Sequence, residues 1–205
     1  MLKSSVLEAA LRIVDRGGLA ALTMRSLGQE LGVEGMAIYH YFARKDDLMD
    51  ALVASLYREP PAPTGDWRAD LRALSHMLRD EMRAHPAMLL EFLSRPVRTE
   101  AADAAREAQY AALSAAGLSG VGLLDAHRTW GSYVFGYLIT ERLSDLRPEH
   151  DWMPVSHPDR PLTNSLVGSM SARNWDEQFD IGLDQLFDGF DVGLTGAVRK
   201  EVSEA

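Results

Sequence analysis

Residues 22–45, LTMRSLGQELGVEGMAIYHYFARK, bring aromatic and basic side chains together over two short predicted helices. Tyrosine hydroxyls and basic side chains on such a surface suit contacts with phosphate oxygens and with the edges of bases. An arginine can bind guanine through its O6 and N7 atoms, which contributes about 1–3 kcal/mol of discrimination between bases. The segment therefore predicts recognition of double-stranded DNA rather than catalysis.

The spacing around these side chains predicts a helix-turn-helix. Thr23 is a good N-cap for the first helix, and Gly32 stands where a left-handed residue ends it. The second helix is expected over residues 35–41, with Ile38 and Phe42 on its inner side. Helix pairs joined at a glycine also occur in bundles that do not bind DNA, so the spacing alone leaves both interpretations open. The outward aromatic and basic residues favour DNA.

The rest of the chain has the apolar periodicity of amphipathic helices and no β alternation of useful length, which predicts an all-α protein. The first helix is expected to begin near Ser5, where Ser5 and Glu8 match a capping box. The further helices are expected over residues 47–57, 67–84, 99–116, 121–146 and from 174 onwards, with a short piece up to 92 after the break at His85-Pro86. Residues 147–173 contain four prolines and predict an irregular loop with one short helix.

The proline-rich residues 59–65 predict a linker between two domains. Residues 1–58 would form the helix-turn-helix DNA-binding domain, and residues 66–205 a helical domain for effector binding and dimerisation. Residues 1–58 hold seven basic and seven acidic residues, so the net charge of −9 lies wholly beyond them. A neutral module can dock on phosphates, whereas the acidic remainder is expected to lie away from DNA.

The composition narrows the function classes. Cysteine is absent, which excludes disulfides, thiolate catalysis and cysteine-based zinc sites. No apolar run approaches the roughly 18 residues that span a bilayer. The first residues predict an amphipathic helix rather than a signal peptide, so a cytoplasmic location is expected. No nucleophile elbow, glycine-rich phosphate loop or paired-histidine motif occurs, and neither enzyme activity nor a cofactor is expected.

Residues 4–53 resemble the N-terminal domain of the TetR family of transcriptional regulators. The residues that carry the resemblance are Leu22, Thr23, Met24, Arg25, Leu27, Leu31, Gly32, Val33, Ile38, Tyr39, His40, Tyr41, Phe42, Lys45 and Leu48. The resemblance implies a three-helix DNA-binding domain on a helical regulatory domain, working as a two-fold dimer. It implies that phosphates are held by Thr23, Tyr39, Tyr41 and Lys45. It also implies that bases face Arg25, Gly35, Met36, Ala37 and His40.

The C-terminal part resembles the tetracycline-responsive branch of that family more loosely. The likeness lies in the order of the helices, in the His85-Pro86 break and in the closing segment 179–190. Residues 92–95, Phe-Leu-Ser-Arg, stand near the place of the histidine that binds metal in that branch. A tetracycline–magnesium complex is therefore not expected as the effector.

A small-molecule site is usually an apolar cavity with a few polar groups, and the long eighth helix carries residues for one. The candidate effector-binding residues are Met82, Met88, Phe92, His127, Trp130, Tyr133, Val134, Tyr137 and Glu141. The alternative is that these residues simply form the core, which is the more frequent outcome for any one of them. The effector would be a small apolar or amphipathic molecule. Glu81 and His85 are expected to make a helix-surface contact rather than to bind a metal.

The last helix has an apolar side too wide for one neighbour. Gly182, Gly189 and Gly193 would allow a close helix approach, and we interpret this side, with part of the eighth helix, as a dimer surface. The alternative is that it packs within its own chain.

Two functional hypotheses follow. The favoured one is a dimeric, ligand-responsive regulator, acting as a repressor, whose recognition helices enter major grooves about 34 Å apart on a palindromic operator. The alternative is a helical ligand- or partner-binding module that no longer binds DNA, which the acidic charge and the few base-reading side chains suggest.

Overall fold

The computed structural model describes residues 2–95, 97–146, 156–167 and 174–203, without the side chains of 192–203. These residues are helical and include no strand, so the all-α prediction is confirmed. The helices are α1 Lys3–Gly17, α2 Met24–Leu31, α3 Gly35–Ile38, α4 Lys45–Ser55, α5 Trp67–Ala84, α6 Leu89–Ser94, α7 Glu100–Ala115, α8 Gly120–Leu146, α9 Pro161–Leu166 and α10 Trp175–Ser203. Short 3₁₀ turns cover Leu19–Ala21 and Pro86–Met88. None of the described helices has the length and apolarity to cross a bilayer.

Local chemistry places several helix ends where the sequence predicts them. α5 has the predicted bounds and ends at the His85-Pro86 break. α10 begins after Asn174, as predicted, with a capping box. The Glu177 amide donates to Asn174 Oδ1 at 2.8 Å, and the Asn174 amide donates to the Glu177 carboxylate at 3.3 Å. The predicted short helix in the proline-rich loop is α9, while most of residues 147–173 lie outside the described residues.

The predicted start of the first helix is wrong. α1 begins at Lys3 rather than near Ser5, and its N-cap is Leu2, which makes no side-chain cap hydrogen bond. The Ser5–Glu8 capping box therefore does not form, because Ser5 already lies inside the helix. The helix ends at Gly17, and Gly18, which follows it, has a φ of 71°.

The backbone packs as two compact units, residues 1–112 and 113–205. In the first unit α1 packs on α2 and α4, α4 packs on α6, and the 3₁₀ turn after α5 packs on α1, α5 and α6. In the second unit α8 packs on α10, whose buried residues include Phe179, Leu183 and Phe187. These packing units do not test the predicted division into a DNA-binding domain before the linker 59–65 and an effector-binding domain after it, which stays a prediction.

Candidate nucleic-acid interface and effector region

α2 is fixed at both ends by local hydrogen bonds. The Ser26 amide donates to Thr23 Oγ1 at 2.9 Å, and the Thr23 amide donates to Ser26 Oγ at 2.9 Å, which makes a reciprocal capping box. Gly32 has a φ of 67° and ends the helix in the left-handed region. The predicted N-cap and C-terminal glycine are confirmed. Thr23 remains exposed, and its contact with a phosphate stays a prediction.

α2 and α3 approach each other through their backbones at two glycines. A Cβ at Gly28 would lie 2.8 Å from the backbone nitrogen of Gly35 and 2.8 Å from the carbonyl oxygen of Val33. The Val33 amide also donates to the Gly28 carbonyl at 2.9 Å. Any side chain at position 28 would push α3 away, so Gly28 sets the crossing of the two helices. Sequence reasoning missed it, although a glycine inside a short helix often marks a close backbone approach.

α3 is shorter than predicted. It covers only Gly35–Ile38, and residues 39–41 form a tight turn in which the Tyr39 amide donates to the Met36 carbonyl at 3.2 Å. The predicted inner side is confirmed, because Ile38 and Phe42 are 0% and 2% exposed.

The predicted DNA-binding residues differ in exposure. Thr23, Arg25, Met36, Tyr39, His40 and Lys45 are exposed, while Gly35, Ala37 and Tyr41 are half-buried. Met36 is 71% exposed and Tyr39 is 47% exposed, so both side chains are accessible to a partner. Their contacts with DNA stay predictions.

Three of these residues carry groups that can be cationic and have no partner. Arg25, His40 and Lys45 make no hydrogen bond or ion pair with any residue in the ranges that the structure describes. Arg44, next to Lys45, is different: its guanidinium lies 2.8 Å from Asp47 Oδ1 across the first turn of α4. That hydrogen bond raises the pKa of Arg44 and lowers the pKa of Asp47. The unpaired groups are therefore available to phosphates and base edges.

An ion cluster connects α4 to the end of α6. Arg95 Nη1 lies 2.6 Å from Asp50 Oδ1 and 2.8 Å from Asp46 Oδ1, and its Nε lies 2.6 Å from a Glu91 carboxylate oxygen. The hydrogen bonds to Glu91 and Asp50 raise the pKa of Arg95 well above its usual range. Lys45, a predicted phosphate contact, is the first residue of α4. The cluster therefore connects the helix that carries Lys45 to the end of α6.

A second cluster connects α1 to α5. His85 Nδ1 lies 3.0 Å from Asp15 Oδ2, and His85 Nε2 lies 3.8 Å from Glu81 Oε1. Glu81 accepts hydrogen bonds from Arg58 Nε and Nη2 at 2.7 and 2.8 Å, which raise the pKa of Arg58. Within the described residues, no group of three histidines or carboxylates is arranged to hold a metal.

The candidate effector-binding residues of the first unit are buried. Met82, Met88 and Phe92 are 2%, 0% and 8% exposed. The Phe92 ring lies 4.9 Å from the Tyr57 ring between centroids, at an interplanar angle of 30°. Sequence reasoning missed Tyr57, which follows α4 at the edge of the predicted linker.

Those of the second unit lie along α8. Trp130, Val134 and Glu141 are buried, and His127, Tyr133 and Tyr137 are half-buried. The His127 ring lies 5.9 Å from the Trp130 ring. The structure places all six on one helix, and their role in effector binding stays a prediction.

The two tyrosines of this set hold α8 against α10. The Tyr133 hydroxyl donates to the carbonyl of Phe179 at 2.8 Å, and the Tyr137 hydroxyl donates to the carbonyl of Trp175. Both rings also pack on the Phe179 ring, at 5.8 and 5.1 Å between centroids. These hydroxyls therefore serve the core, which is the alternative that the sequence left open.

The glycines of α10 differ in whether they face another residue of the chain. A Cβ at Gly182 would overlap the Tyr133 phenol, so Gly182 permits an approach within the chain. A Cβ at Gly189 would meet open space, and Gly193 lies among the residues whose side chains are not described. Gly189 thus remains available to the dimer surface that the sequence predicts.

The chain resembles known proteins over most of its length. The family description "Bacterial regulatory proteins, tetR family" matches residues 6–52, and "Tetracyclin repressor-like, C-terminal domain" matches residues 59–193. The chain is 30% identical over 205 residues to the HTH-type transcriptional repressor DrrR1 of Streptomyces coeruleorubidus, an alignment that covers 91% of this chain and 76% of that one.

Solved structures share the fold. The TetR family protein ActR of Streptomyces coelicolor, in complex with actinorhodin, matches with a TM-score of 0.77 at 20% identity, covering 94% of this chain and 98% of ActR. A variant of TetR from Acinetobacter baumannii AYE, in complex with minocycline, matches with a TM-score of 0.70 at 26% identity, covering 93% and 97% of the two chains. The family descriptions together span most of the sequence, and the chain belongs to the TetR family of transcriptional regulators.

Proposed function

We propose that the protein is a dimeric repressor that binds a palindromic operator and leaves it when a small molecule binds its helical C-terminal domain. The observation that carries this proposal is the set of unpaired groups on Arg25, His40 and Lys45, beside an exposed Tyr39. In a chain of net charge −9, three such groups on one helix-turn-helix beside an exposed tyrosine form a surface that suits phosphates and base edges.

At the operator the residues would divide between backbone and bases. Tyr39, Tyr41, Lys45 and Thr23 would contact phosphates, which set the position of the protein on the duplex. Arg25 would bind a guanine, and Met36 and Ala37 would offer apolar contact to a thymine methyl group. Two copies would present α3 about 34 Å apart, one turn of the duplex.

Release would follow from a difference in effector affinity between two forms of the dimer. A ligand shifts the equilibrium only by the ratio of its affinities for the two forms. The Arg95 cluster offers a physical route, because a shift of α6 would move Asp46 and Asp50 and with them the start of α4. Lys45, the first residue of α4, would then leave its phosphate.

The remaining assignments follow from this role. The effector of this chain would be a small organic molecule with an apolar body. The complexes of the structurally similar proteins with minocycline and actinorhodin support this class of ligand. The protein would act in the cytoplasm, where its operator lies, and would catalyse no reaction.

A DNA-binding titration tests the proposal. A labelled fragment from upstream of the protein's own gene is titrated with wild type, Arg25→Ala and Tyr39→Ala at low salt. We expect Arg25→Ala to weaken binding about tenfold or more, as loss of a bidentate base contact does. Arg128→Ala, which removes an exposed charge from α8, is the control and should bind as wild type does.

Failure of the wild type to bind at low salt would contradict the proposal. It would favour a ligand- or partner-binding module that no longer binds DNA. Calorimetry separates the two, because a repressor's effector affinity must change when the operator is present, whereas the affinity of a DNA-independent module would not.

A further inference from the structure

A lysine at the start of α1 lies against the segment that follows α3. Lys3 is the first residue of α1, and its Nζ lies 5.0 Å from the centroid of the Phe42 ring. Phe42 is 2% exposed and comes directly after Tyr41 in the chain. The face of an aromatic ring is the negative part of its quadrupole, so it attracts an ammonium group. The contact therefore holds a positive charge beside the turn that follows the recognition helix.

This ammonium group has no anionic partner among the described residues. Lys3 is exposed and makes no hydrogen bond or ion pair with any of them. Asp46 and Asp47 are the first carboxylates after Phe42 in the chain, and each lies 2.8 Å from a guanidinium nitrogen of an arginine. Because the nearest carboxylates in the sequence are already paired, the charge of Lys3 is available to an outside anion.

The place of this charge suits a DNA phosphate. Tyr41 and Lys45, two of the proposed phosphate contacts, lie one residue before and three residues after Phe42. A lysine ammonium group has three N–H donors and acts on a phosphate as a point charge, without the planar geometry of arginine. When it rests on a ring face, it keeps donors that point away from the ring. Lys3 can therefore bind an oxyanion without leaving Phe42.

We propose that Lys3 binds a phosphate of the operator, so that α1 holds the protein on the duplex together with the helix-turn-helix. This inference rests on the proposed function, and it adds a DNA contact outside residues 22–45. The Phe42 ring would position the ammonium group before DNA arrives, which reduces the side-chain freedom that is lost on binding. Since a phosphate carries no sequence information, Lys3 would strengthen binding to every duplex by the same factor.

The salt dependence of DNA binding tests this assignment. Fluorescence anisotropy of the full chain is measured over a range of salt concentrations with the fragment from upstream of its own gene and with an unrelated duplex of equal length. Lys3→Met keeps an apolar side chain on the ring and removes the charge. Each phosphate contact contributes about 0.9 to the slope of log affinity against log salt, so the slope should become shallower by about 0.9 per subunit. At about 0.1 M salt the affinity for both duplexes should fall about tenfold or more.

Two further variants separate the charge from the packing. Lys3→Arg keeps a cation at this position and should retain most of the affinity and the slope. Arg68→Met is the matched control, because the Arg68 guanidinium lies 5.1 Å from the Trp67 ring centroid, a similar contact at the start of α5. Its slope and affinity should equal those of wild type. Circular dichroism checks that each variant is folded.

A wild-type slope in Lys3→Met would overturn the proposal, even if the affinity were lower, because a lysine with only a structural role does not change the number of phosphates bound. An equal change of slope in Arg68→Met, or a loss in Lys3→Met for the operator but not for the unrelated duplex, would overturn it as well. A wild type that binds neither duplex at low salt would reject the repressor function together with this contact. A wild type that binds, with an unchanged slope in Lys3→Met, would reject the contact alone.

Discussion

Two helix pairs of this protein are held together in opposite ways. α2 and α3 approach through backbone at Gly28 and Gly35, and the Met36 side chain of α3 is 71% exposed. α8 and α10 are held by side chains instead. The hydroxyls of Tyr133 and Tyr137 donate to carbonyls of α10, and both rings pack on Phe179.

The difference shows that residue type alone does not identify a binding residue. Tyr39 and Tyr133 are both tyrosines on predicted functional helices. Tyr39 is 47% exposed and has no partner among the described residues, whereas Tyr133 is bonded to the main chain of α10. The backbone contact between α2 and α3 leaves the Tyr39 hydroxyl without a partner among the described residues, whereas the contact between α8 and α10 uses the hydroxyls of Tyr133 and Tyr137.

Among the substitutions considered, Gly28→Ala is expected to cause the largest loss of stability. The new Cβ would meet backbone atoms of Val33 and Gly35 at 2.8 Å, which only a displacement of α3 can relieve. We expect a loss of about 3 kcal/mol in the free energy of unfolding in urea, at the upper end of the usual cost of overpacking. Operator binding should be lost as well, since α3 would no longer present its side chains at the right angle.

Gly122→Ala is the control for that substitution. Gly122 lies near the start of α8, and a Cβ there would meet open space. The free energy of unfolding should stay the same or rise by up to about 1 kcal/mol, because alanine is the better helix former. Equal stability of the Gly28 and Gly122 variants would show that α2 and α3 are not held by a close backbone approach.

The second helix pair should respond to Gly182→Ala. The new methyl group would overlap the Tyr133 phenol and break its hydrogen bond to Phe179. We expect a loss of about 2 kcal/mol in the free energy of unfolding, less than for Gly28 because a side chain rather than backbone must move. Gly189→Ala, in the same helix with open space at its Cβ, should have no such effect. Similar losses for both would contradict the intrachain contact.

A pair of tyrosine substitutions tests the comparison most directly. Tyr133→Phe should lower the free energy of unfolding by about 1 kcal/mol, the usual value of one hydrogen bond. It should leave the affinity for the operator, measured without effector, unchanged. Tyr39→Phe should do the reverse, with unchanged stability and severalfold weaker DNA binding. Urea unfolding and fluorescence anisotropy give the two quantities, and a stability loss in Tyr39→Phe would show that this hydroxyl has a structural role.

The fold was predictable from the sequence wherever local chemistry decides it. The Thr23 cap, the left-handed Gly32 and the Asn174–Glu177 capping box each depend on residues within a few positions of one another. The early end of α3 was not predictable, because the helical spacing of Ile38 and Phe42 continues past it. Its last turn is closed by bonds such as Tyr41 amide to Ile38 carbonyl, which are tighter than those of an α-helix.

The candidate site was predictable only where its residues are exposed. Tyr39 and His40, which follow α3 and are exposed, carry the family pattern, so the sequence identifies them by position. The role of Tyr133 depends on Phe179, 46 residues further along, and no local pattern encodes that contact. Tyr57, whose ring packs on Phe92, was missed because it borders a proline-rich segment and its partner lies 35 positions further along the chain.

The smallest change in the free energy of unfolding is expected from the ion pairs that join α1 to α2. The Glu30 carboxylate accepts a hydrogen bond from Arg16 at 2.6 Å and another from Arg12 at 3.3 Å. These bonds, that of Arg16 above all, lower the pKa of Glu30. A carboxylate whose pKa is lowered in the folded state stabilises the protein above its unfolded pKa of about 4.3. That contribution is lost as the pH falls through the folded value.

The free energy of unfolding of wild type should therefore exceed that of Glu30→Gln near neutral pH, and the difference should shrink as the pH falls below about 4.3. Urea unfolding of both proteins across this range gives the difference directly. Glu107→Gln removes an exposed carboxylate of α7 that has no ion pair among the described residues, and it should show a smaller change with pH. Since the ion pairs are exposed, high salt should reduce the Glu30 effect. A difference that stays constant from neutral to acid pH would mean that α1 and α2 are held by their apolar contacts alone.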